Sequence, residues 1–510
     1  MYKLHLRKSF RTFTEVERNK YAMKKLATPL KLFSILLLIL MVQSCAVNPV
    51  TGKRQIMFVS EEQEIAMGEQ YHPSVISTFG VYENEPLQKF LEEKGTEMGK
   101  LSHRPQLTYH FTILDSPVVN AFAVPGGYLY FTRGILAQFN SEAELMGVLG
   151  HEMGHVTARH TAQQQTNQQL GQLVLAGGMM ASKEIYELAD VAMAGMQLLF
   201  LSFSRDHERE SDRLGVEYAT KMGYDAHKMA DFFAVLDKMS MESTEGGVPT
   251  FMSTHPDPED RFSTVHQLSN EWQTKYPDQS FAVNSNHYLQ MIDGIVYGED
   301  PRQGFVENST FYHPDLKFKF TFPQKWNLVN TPTQVQIISP DQKAGIIFTL
   351  SEENTPEEAS AKALGDLNLT ILETKKLQIN GNEAVAVASQ QVNQTSNGQE
   401  QVTKVLSYFI KYGVRVYVFH GISLGENFNT VVPAFESTMN NFSALTDPSK
   451  LSIKPDRIKI ISIRSASVSL IDAFKYYKVP DEKFEELALL NNLDLNHELH
   501  KGELIKIISK

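Results

Sequence analysis

The sequence is poor in cysteine and in positive charge. Cys45 is the only cysteine among 510 residues, so no internal disulfide can form. The formal net charge is −11, and residues 1–44 hold nine basic against two acidic residues, which leaves −18 for the remainder. A chain of this sign offers no electrostatic footprint for nucleic acid or for anionic lipid. These two absences exclude a disulfide scaffold and a nucleic-acid-binding protein.

Long apolar runs are also few, and one of them lies near the start of the chain. Leu32–Val42 is too short to span a bilayer comfortably; basic residues precede it, and Val42-Gln43-Ser44-Cys45 follows. This order is typical of a secretory signal, and the position of the cysteine resembles a bacterial lipobox, in which the thiol is lipidated. We predict a lipoprotein signal peptide at residues 1–45, with Met23 as an alternative start, and a tether at 46–60. An ordinary signal peptide with an incidental cysteine is the other interpretation.

The pattern with the clearest chemistry is His-Glu-x-x-His, formed by His151, Glu152 and His155. Residues four apart on a helix share one face, about 5–6 Å from each other, so both histidines can bind one cation. The glutamate beside the first histidine can reach a metal-bound water and accept its proton. Ser141 and Glu144 have the form of a capping box, which predicts that this helix begins there.

A catalytic zinc needs a third protein ligand and an open position for water. The known extension with a histidine two turns further on fails, because Ala158 and Thr161 occupy the glycine and histidine positions. His160 is off that spacing and is either an outer-sphere residue or a surface residue. Glu208 and Asp212 lie one turn apart on a second predicted helix, where the first could bind metal and the second could accept a ligand histidine's N–H. A solvated run of charges is the alternative.

Three stretches together resemble a gluzincin family that contains the CAAX prenyl proteases, the HtpX-like proteases and the bacterial beta-barrel assembly-enhancing proteases. They are Asn120–Gly127, His151–His155 and Glu208-x-x-Ser211-Asp212, in which Ser211 stands where the family has alanine. The likeness runs from about residue 48 to about residue 300. It implies one Zn²⁺ per chain, held by His151, His155 and Glu208, with Glu152 as the general base.

The same resemblance gives roles to residues on both sides of the motif. Asn120, Ala121 and Phe122 would lead into the strand at the cleft edge that pairs with extended substrate backbone. The segment from His255 to Arg261 matches the family's His-Pro-x-x-x-x-Arg, which implies a loop near the zinc. There His255 could fill the fourth coordination position as a switch, and Arg261 could steady the oxyanion of the scissile carbonyl. A proline-rich turn that caps a helix is the alternative.

The length of the chain predicts several domains. Residues 61–295 are predicted as a mainly α metalloprotease domain with a small β-sheet, whose methionine-rich helices form core or, alternatively, an adaptable lid (Met179, Met180, Met193, Met196). After a turn-rich linker at 296–308, alternating residues and the turns Asn380-Gly381 and Asn397-Gly398 predict an α+β sandwich-like domain at 309–446, similar to PsbP and Mog1. Residues 447–510 resemble a LysM module, which either binds glycan or serves in packing or dimerisation.

The function expected from these features is a lipid-anchored zinc metalloendopeptidase of the bacterial cell envelope. It would face the periplasm, at the outer rather than the inner membrane, and degrade misfolded or stalled envelope proteins, with a peptidoglycan contact through the LysM-like module. One rival is a chaperone-like binding lipoprotein whose metal site is silenced by His255. Another is a cell-wall hydrolase that uses the LysM-like module.

Overall fold

The computed structural model describes residues 45–175, 202–242, 250–256, 260–394 and 400–510. The predicted signal segment, the methionine-rich stretch and the Asn397-Gly398 turn lie outside these ranges. A helical region comes first and a separate sheet-rich region follows it, as the sequence predicts. Among the described residues, no helix is both long and apolar enough to cross a bilayer.

Ten helices belong to the helical region within the described ranges. They are α1 (Glu61–Phe79), α2 (Glu85–Leu101), α3 (Arg133–Gln138), α4 (Glu142–Thr157), α5 (His160–Leu175), α6 (Arg205–Lys221), α7 (His227–Glu242), α8 (Thr250–Thr254), α9 (Arg261–Gln273) and α10 (Ser285–Met291). Serine side chains begin two of the longer ones: Ser60 accepts a hydrogen bond from the Gln63 backbone, and Ser204 accepts one from the His207 backbone. Each cap satisfies a backbone N–H that has no partner inside the helix.

Five strands accompany these helices. They are β1 (Cys45–Val47), β2 (Arg54–Ile56), β3 (His110–Leu114), β4 (Ala121–Val124) and β5 (Tyr128–Thr132). The last three form a sheet in the order β3-β5-β4, in which β3 runs parallel and β4 antiparallel to β5. The antiparallel strand β4 is therefore at an edge of the sheet, and all four of its residues are buried.

Helix α4 carries the His-Glu-x-x-His motif and lies entirely inside the protein. Ser141 caps it by accepting from the Glu144 backbone, while the Glu144 carboxylate accepts from the backbone of Asn140 rather than that of Ser141. The helix crosses α6 at close range, because a Cβ on Gly150 would lie only 2.9 Å from the carbonyl oxygen of Gly215. The absence of side chains at this crossing brings the two metal-binding segments together.

The sheet-rich region begins at the short strand β6 (Val296–Tyr297) and continues as an antiparallel domain. Its strands are β7 (Phe305–Glu307), β8 (Thr310–His313), β9 (Phe318–Thr321), β10 (Asn327–Asn330), β11 (Gln334–Ile338), β12 (Ala344–Ser351), β13 (Thr370–Ile379), β14 (Asn382–Gln394), β15 (Glu400–Tyr412), β16 (Arg415–Leu424) and β17 (Ser443–Ala444), and its helices are α11 (Pro356–Asp366) and α12 (Gly425–Asn440). Seven strands form a sheet in the order β10-β11-β12-β16-β15-β14-β13, and four form another in the order β17-β9-β8-β7. The predicted Asn380-Gly381 turn joins β13 to β14 with both residues at positive φ.

The last part of the chain packs back onto the helical region. It contains α13 (Pro448–Leu451), β18 (Asp456–Ser462), β19 (Ser467–Ser469), α14 (Leu470–Tyr476), α15 (Phe484–Leu490), β20 (Glu498–His500) and β21 (Leu504–Ser509). Strand β18 pairs with β21 on one side and with β6 on the other. Apolar residues of this part, including Phe474, Leu487 and Ile505, share one core with Phe139 and Tyr288 of the helical region. The two parts therefore form one packed body, while the LysM likeness stays a prediction.

The shared core contains a buried lysine. Lys506 is fully buried, and its Nζ donates hydrogen bonds to the carbonyl oxygens of Ala137, Gln138 and Phe139 at 2.8–3.0 Å and to that of Leu490 at 3.3 Å. The first three carbonyls lie at the end of α3, where helical carbonyls lack partners. Burial lowers the pKa of Lys506 and raises that of Glu144, with which it interacts electrostatically. The C-terminal strand thus holds the segment that leads into α4.

Candidate metal centre

Four side chains from three segments meet inside the helical region. His151 and His155 come from α4, Glu208 from α6, and His255 from the residue after α8. All four are buried, and one ligand atom from each lies within 4.8 Å of all the others. Within the described part of the chain, this is the cluster of histidines and carboxylates that could hold a metal ion.

The separations between these atoms match those of ligands around a single small cation. The Nε2 atoms of His151 and His155 are 3.1 Å apart, and each lies 3.4 Å from an oxygen of Glu208. The His255 Nδ1 lies 3.2 Å from the His151 Nε2 and 3.2 Å from Glu208 Oε1. Tetrahedral zinc with ligands at about 2.0–2.2 Å would place its ligand atoms about 3.4 Å apart. A nitrogen and carboxylate donor set of this geometry suits Zn²⁺.

Hydrogen bonds on the far sides of the rings direct both Nε2 atoms inward. The His151 Nδ1 lies 2.8 Å from Asp212 Oδ1, and the His155 Nδ1 lies 3.0 Å from the His160 Nδ1. When each Nδ1–H donates outward, the two Nε2 lone pairs face each other at 3.1 Å. A cation between them would bind both lone pairs, so the arrangement is suited to a bound metal ion.

The protonation preferences of two ligands also suit metal binding. Burial drives the pKa of His155 well below its usual range and so favours the neutral ring that metals bind. Burial alone would raise the pKa of Glu208, but the neighbouring histidines, His255 above all, hold it well below its ordinary value. Glu208 is therefore an anion in the folded protein, as a carboxylate ligand must be.

Glu152, the predicted general base, lies inside the protein beside His255. Its carboxylate is fully buried, and neither oxygen accepts a hydrogen bond from a described residue. The His255 Nε2 lies 3.5 Å from its Oε1. Burial raises the pKa of Glu152, which brings a carboxylate closer to the range in which it exchanges protons at neutral pH.

The predicted substrate strand lies beside this cluster. Asn120 precedes β4, and Ala121 and Phe122 are its first two residues. The hydroxyl of Thr254 donates to the Asn120 side chain at 3.4 Å, and the Phe251 backbone donates to the carbonyl of Val119 at 3.0 Å. Helix α8, which positions His255, therefore contacts the start of the strand on which substrate backbone is expected to pair.

Arg261 lies against Asp212 and against two of the metal-binding residues, His151 and Glu208. Its Nη2 donates to Asp212 Oδ1 at 2.7 Å and lies 3.4 Å from the His151 Nδ1, the ring nitrogen that faces away from the cluster. Its guanidinium carbon stacks 3.7 Å above the Phe233 ring. In this conformation Arg261 holds Asp212 and His151 in place. Its role at the oxyanion stays a prediction from the resemblance.

Two contacts of the site were not assigned from the sequence. His160, left open between an outer-sphere and a surface position, is fully buried against His155. Glu210 lies 3.2 Å from its other ring nitrogen. The spacing gave no signal for either residue, because a turn separates His160 from α4.

For Cys45 the structure shows only that its backbone belongs to β1, so lipidation stays a prediction.

Comparison with known proteins assigns the central part of the chain. Residues 86–269 match the profile described as Peptidase family M48. The beta-barrel assembly-enhancing protease of Yersinia pestis is 28% identical over 254 residues, which cover 48% of this chain and 50% of that protein. The mitochondrial metalloendopeptidase OMA1 of Arabidopsis thaliana is 30% identical over 192 residues, which cover 37% of each. The chain thus spans about half the length, or less, of these relatives.

The comparison with solved structures is weaker. Cyanobacterial PsbP from Synechocystis sp. PCC 6803 aligns at a TM-score of 0.22 and 11% identity, covering 28% of this chain and 96% of that one. A score at this level does not establish a shared fold, so the PsbP and Mog1 likeness stays a prediction. The assignment therefore depends on the helical region. Residues 86–269 form a domain of peptidase family M48, and the gluzincin resemblance is confirmed for this part of the chain.

Proposed function

We propose that the protein is a zinc-dependent metalloendopeptidase. The observation that carries this proposal is the convergence of His151, His155 and Glu208 at separations of 3.1–3.4 Å, with the Glu152 carboxylate beside them. One Zn²⁺ per chain suits a cluster that offers two imidazoles and one carboxylate. Zinc bound there supplies Lewis-acid chemistry, because it lowers the pKa of a water to about 7 and polarises a peptide carbonyl.

The residues of this chain perform the remaining steps. Glu152 accepts the proton of the attacking water on a carboxylate oxygen and later returns it to the nitrogen of the departing amine. Strand β4, with Asn120 at its start, aligns the extended substrate backbone by edge pairing. Asp212, held by Arg261, keeps the His151 ring oriented toward the metal. No covalent acyl-enzyme is needed.

The cellular setting belongs to the same proposal. A lipid on Cys45 would hold the protein at the envelope, facing the periplasm and at the outer membrane. Unfolded or misassembled envelope proteins would be its substrates. Support comes from the predicted signal segment and from relatives named as beta-barrel assembly-enhancing proteases. Residues 447–510 would contact peptidoglycan if the LysM likeness extends to glycan binding.

His255 is proposed as a switch on this site. Its Nδ1 occupies the side of the cluster that a water molecule needs, 3.2 Å from both the His151 Nε2 and Glu208 Oε1. The ring stacks on Phe251 at a centroid distance of 4.4 Å and is almost fully buried. Catalysis then requires His255 and α8 to move away together, which would also free the start of β4.

Metal content and casein hydrolysis, measured on the same purified protein, test the proposed function. We expect one zinc per chain and cleavage of casein at internal peptide bonds. A chelator should abolish the cleavage, and added zinc should restore it. A protein that binds no zinc, or one that leaves casein intact even when His255 is replaced by alanine, would contradict the proposal.

Replacing His255 by alanine is expected to raise kcat/KM for casein about tenfold, if roughly a tenth of the wild-type molecules are open. The reason is that the variant cannot fill the position that water needs. His266→Ala is the matched control, because His266 lies on α9 and its ring contacts are with His227 and Phe262. Steady-state rates of casein cleavage measure this effect, and an unchanged or lower rate for His255→Ala would contradict the role of His255 as a switch.

A further inference from the structure

The helical backbone is interrupted directly after the metal-binding helix. Helix α4 ends at Thr157 and α5 begins at His160, and Arg159 between them has a φ of 62°. This is the left-handed region, which non-glycine residues rarely adopt without support from their surroundings. On an uninterrupted helix, residue 160 would point about 140° away from residue 155. The turn at Arg159 instead brings the two rings together.

The side chain of Arg159 supports this turn. Its Nε donates to Glu64 Oε1 at 3.1 Å, and its Nη2 donates to the carbonyl oxygen of Val59 at 2.8 Å. Both partners belong to the segment around the start of α1, so the unusual backbone is fixed from outside α4. A strained backbone that is held in this way beside a functional site is expected to position a side chain of that site.

The turn places His160 between a metal ligand and a carboxylate. The His160 Nδ1 is 3.0 Å from the His155 Nδ1, and its Nε2 is 3.2 Å from Glu210 Oε2. His160 is fully buried, and the His207 ring stacks on it at a centroid distance of 4.2 Å. The hydroxyl of Ser211 also lies 3.3 Å from the His160 Nδ1.

One protonation pattern satisfies the contacts of His160 with His155 and with Glu210 once His155 offers its Nε2 to the metal. The proton of the His155 ring must then be on Nδ1, and it is donated to the His160 Nδ1, the shorter of the two contacts of that atom. His160 in turn carries its own proton on Nε2 and donates it to Glu210. Both rings stay neutral. The tautomer of the metal ligand is thus set by a carboxylate two hydrogen bonds away.

We propose that His160 and Glu210 are positioning residues that fix the orientation and tautomer of His155. They act for His155 as Asp212 acts for His151, but through an intervening imidazole. The metal-binding part of this inference can be measured without substrate. Its catalytic consequence rests on the proposed function.

The charges around the site explain why an imidazole stands between ligand and carboxylate. Glu152, Glu208 and Asp212 are already three buried carboxylates, and Arg261 lies 3.5 Å and 2.7 Å from the oxygens of the last two. A fourth carboxylate bonded directly to His155 would have to lose its water in the same interior, which is costly without a further cation. Through His160, the Glu210 side chain stays 23% exposed and lies 3.9 Å from Arg213.

The test compares two replacements of His160 by their zinc affinity in competition with a chelator. Gln offers a carbonyl to accept from His155 and an amide to donate to Glu210, whereas Phe keeps the ring and loses both contacts. We expect His160→Gln to bind zinc nearly as tightly as the wild type, and His160→Phe to bind about 10–100-fold more weakly. A role in packing alone predicts the reverse order, which would overturn the proposal.

Glu210→Gln, on α6, gives a second measurement. It should weaken zinc binding about tenfold, because the amide is a poorer acceptor than the carboxylate. Glu217→Gln is the matched control, since Glu217 lies on α6 and pairs with Lys221 and Arg213. The absorption spectrum of the cobalt-substituted protein should shift in Glu210→Gln and not in the control. Wild-type affinity in both Glu210→Gln and His160→Phe would refute the inference, whereas a wild type that binds no zinc would refute the proposed function instead.

Discussion

A Glu152→Gln variant is expected to lose about 10²–10⁴-fold in kcat/KM for casein while it keeps its zinc. The amide is nearly the same size as the carboxylate but cannot accept a proton at neutral pH. The carboxylate of Glu152 accepts no hydrogen bond from a described residue, so its replacement breaks no structural contact of that kind. The loss should therefore appear in turnover, with thermal stability and metal content unchanged.

The measurement is the rate of casein cleavage beside the zinc content of the same preparation. Glu93→Gln on α2 is the matched control, because this glutamate is exposed and far along the chain from the motif. The variant also separates the protease from a chaperone-like lipoprotein with a silenced site. If Glu152→Gln restores a deletion strain as fully as the wild-type protein does, then peptide hydrolysis is not what the cell needs from it.

The second large effect is expected at a site remote from the metal. Lys506→Met should lower the free energy of unfolding of the helical region by about 3–5 kcal/mol, because buried carbonyl oxygens lose their donor. Methionine fills the space of the lysine stem but donates nothing to the carbonyl oxygens of Ala137, Gln138 and Phe139. It also removes the electrostatic interaction of the lysine with the buried Glu144 carboxyl.

The two tryptophans allow this effect to be located. Trp272 lies in α9 of the helical region, and Trp326 lies in the antiparallel domain. Urea unfolding followed by fluorescence in a Trp326→Phe background reports on the helical region alone. Lys501→Met is the control, because Lys501 is exposed and should change the unfolding free energy by less than about 0.5 kcal/mol. Equal midpoints for the two variants would show that the buried lysine does not hold the core.

The local parts of the metal centre could be predicted from the sequence, because helical spacing places His151 and His155 on one face. Glu208 is 53 positions from His155 and could be assigned only by resemblance. No pattern in the sequence predicts that the two helices cross closely at Gly150 and Gly215. The Asn380-Gly381 hairpin turn was predicted correctly, because these two residue types readily adopt the positive φ angles that the turn requires.

His160 and Lys506 show why the rest was missed. The contact of His160 depends on a left-handed residue, and an arginine at that position does not announce such a turn as a glycine would. Lysine is almost always a surface residue, so nothing in the pattern of the last strand marks Lys506 as buried. Both positions are fixed by partners far away in the chain, which no local window contains.

The pairing of β6 with β18 affects when the shared core can form during synthesis of the chain. The antiparallel domain is looped out between these two strands, so the shared core joins segments that a ribosome makes more than a hundred and fifty residues apart. A nascent chain therefore contains the complete His-Glu-x-x-His motif long before strand β18, which pairs with β6, has been made. The core shared with the helical region is therefore complete only after residues 456–509 have been synthesised.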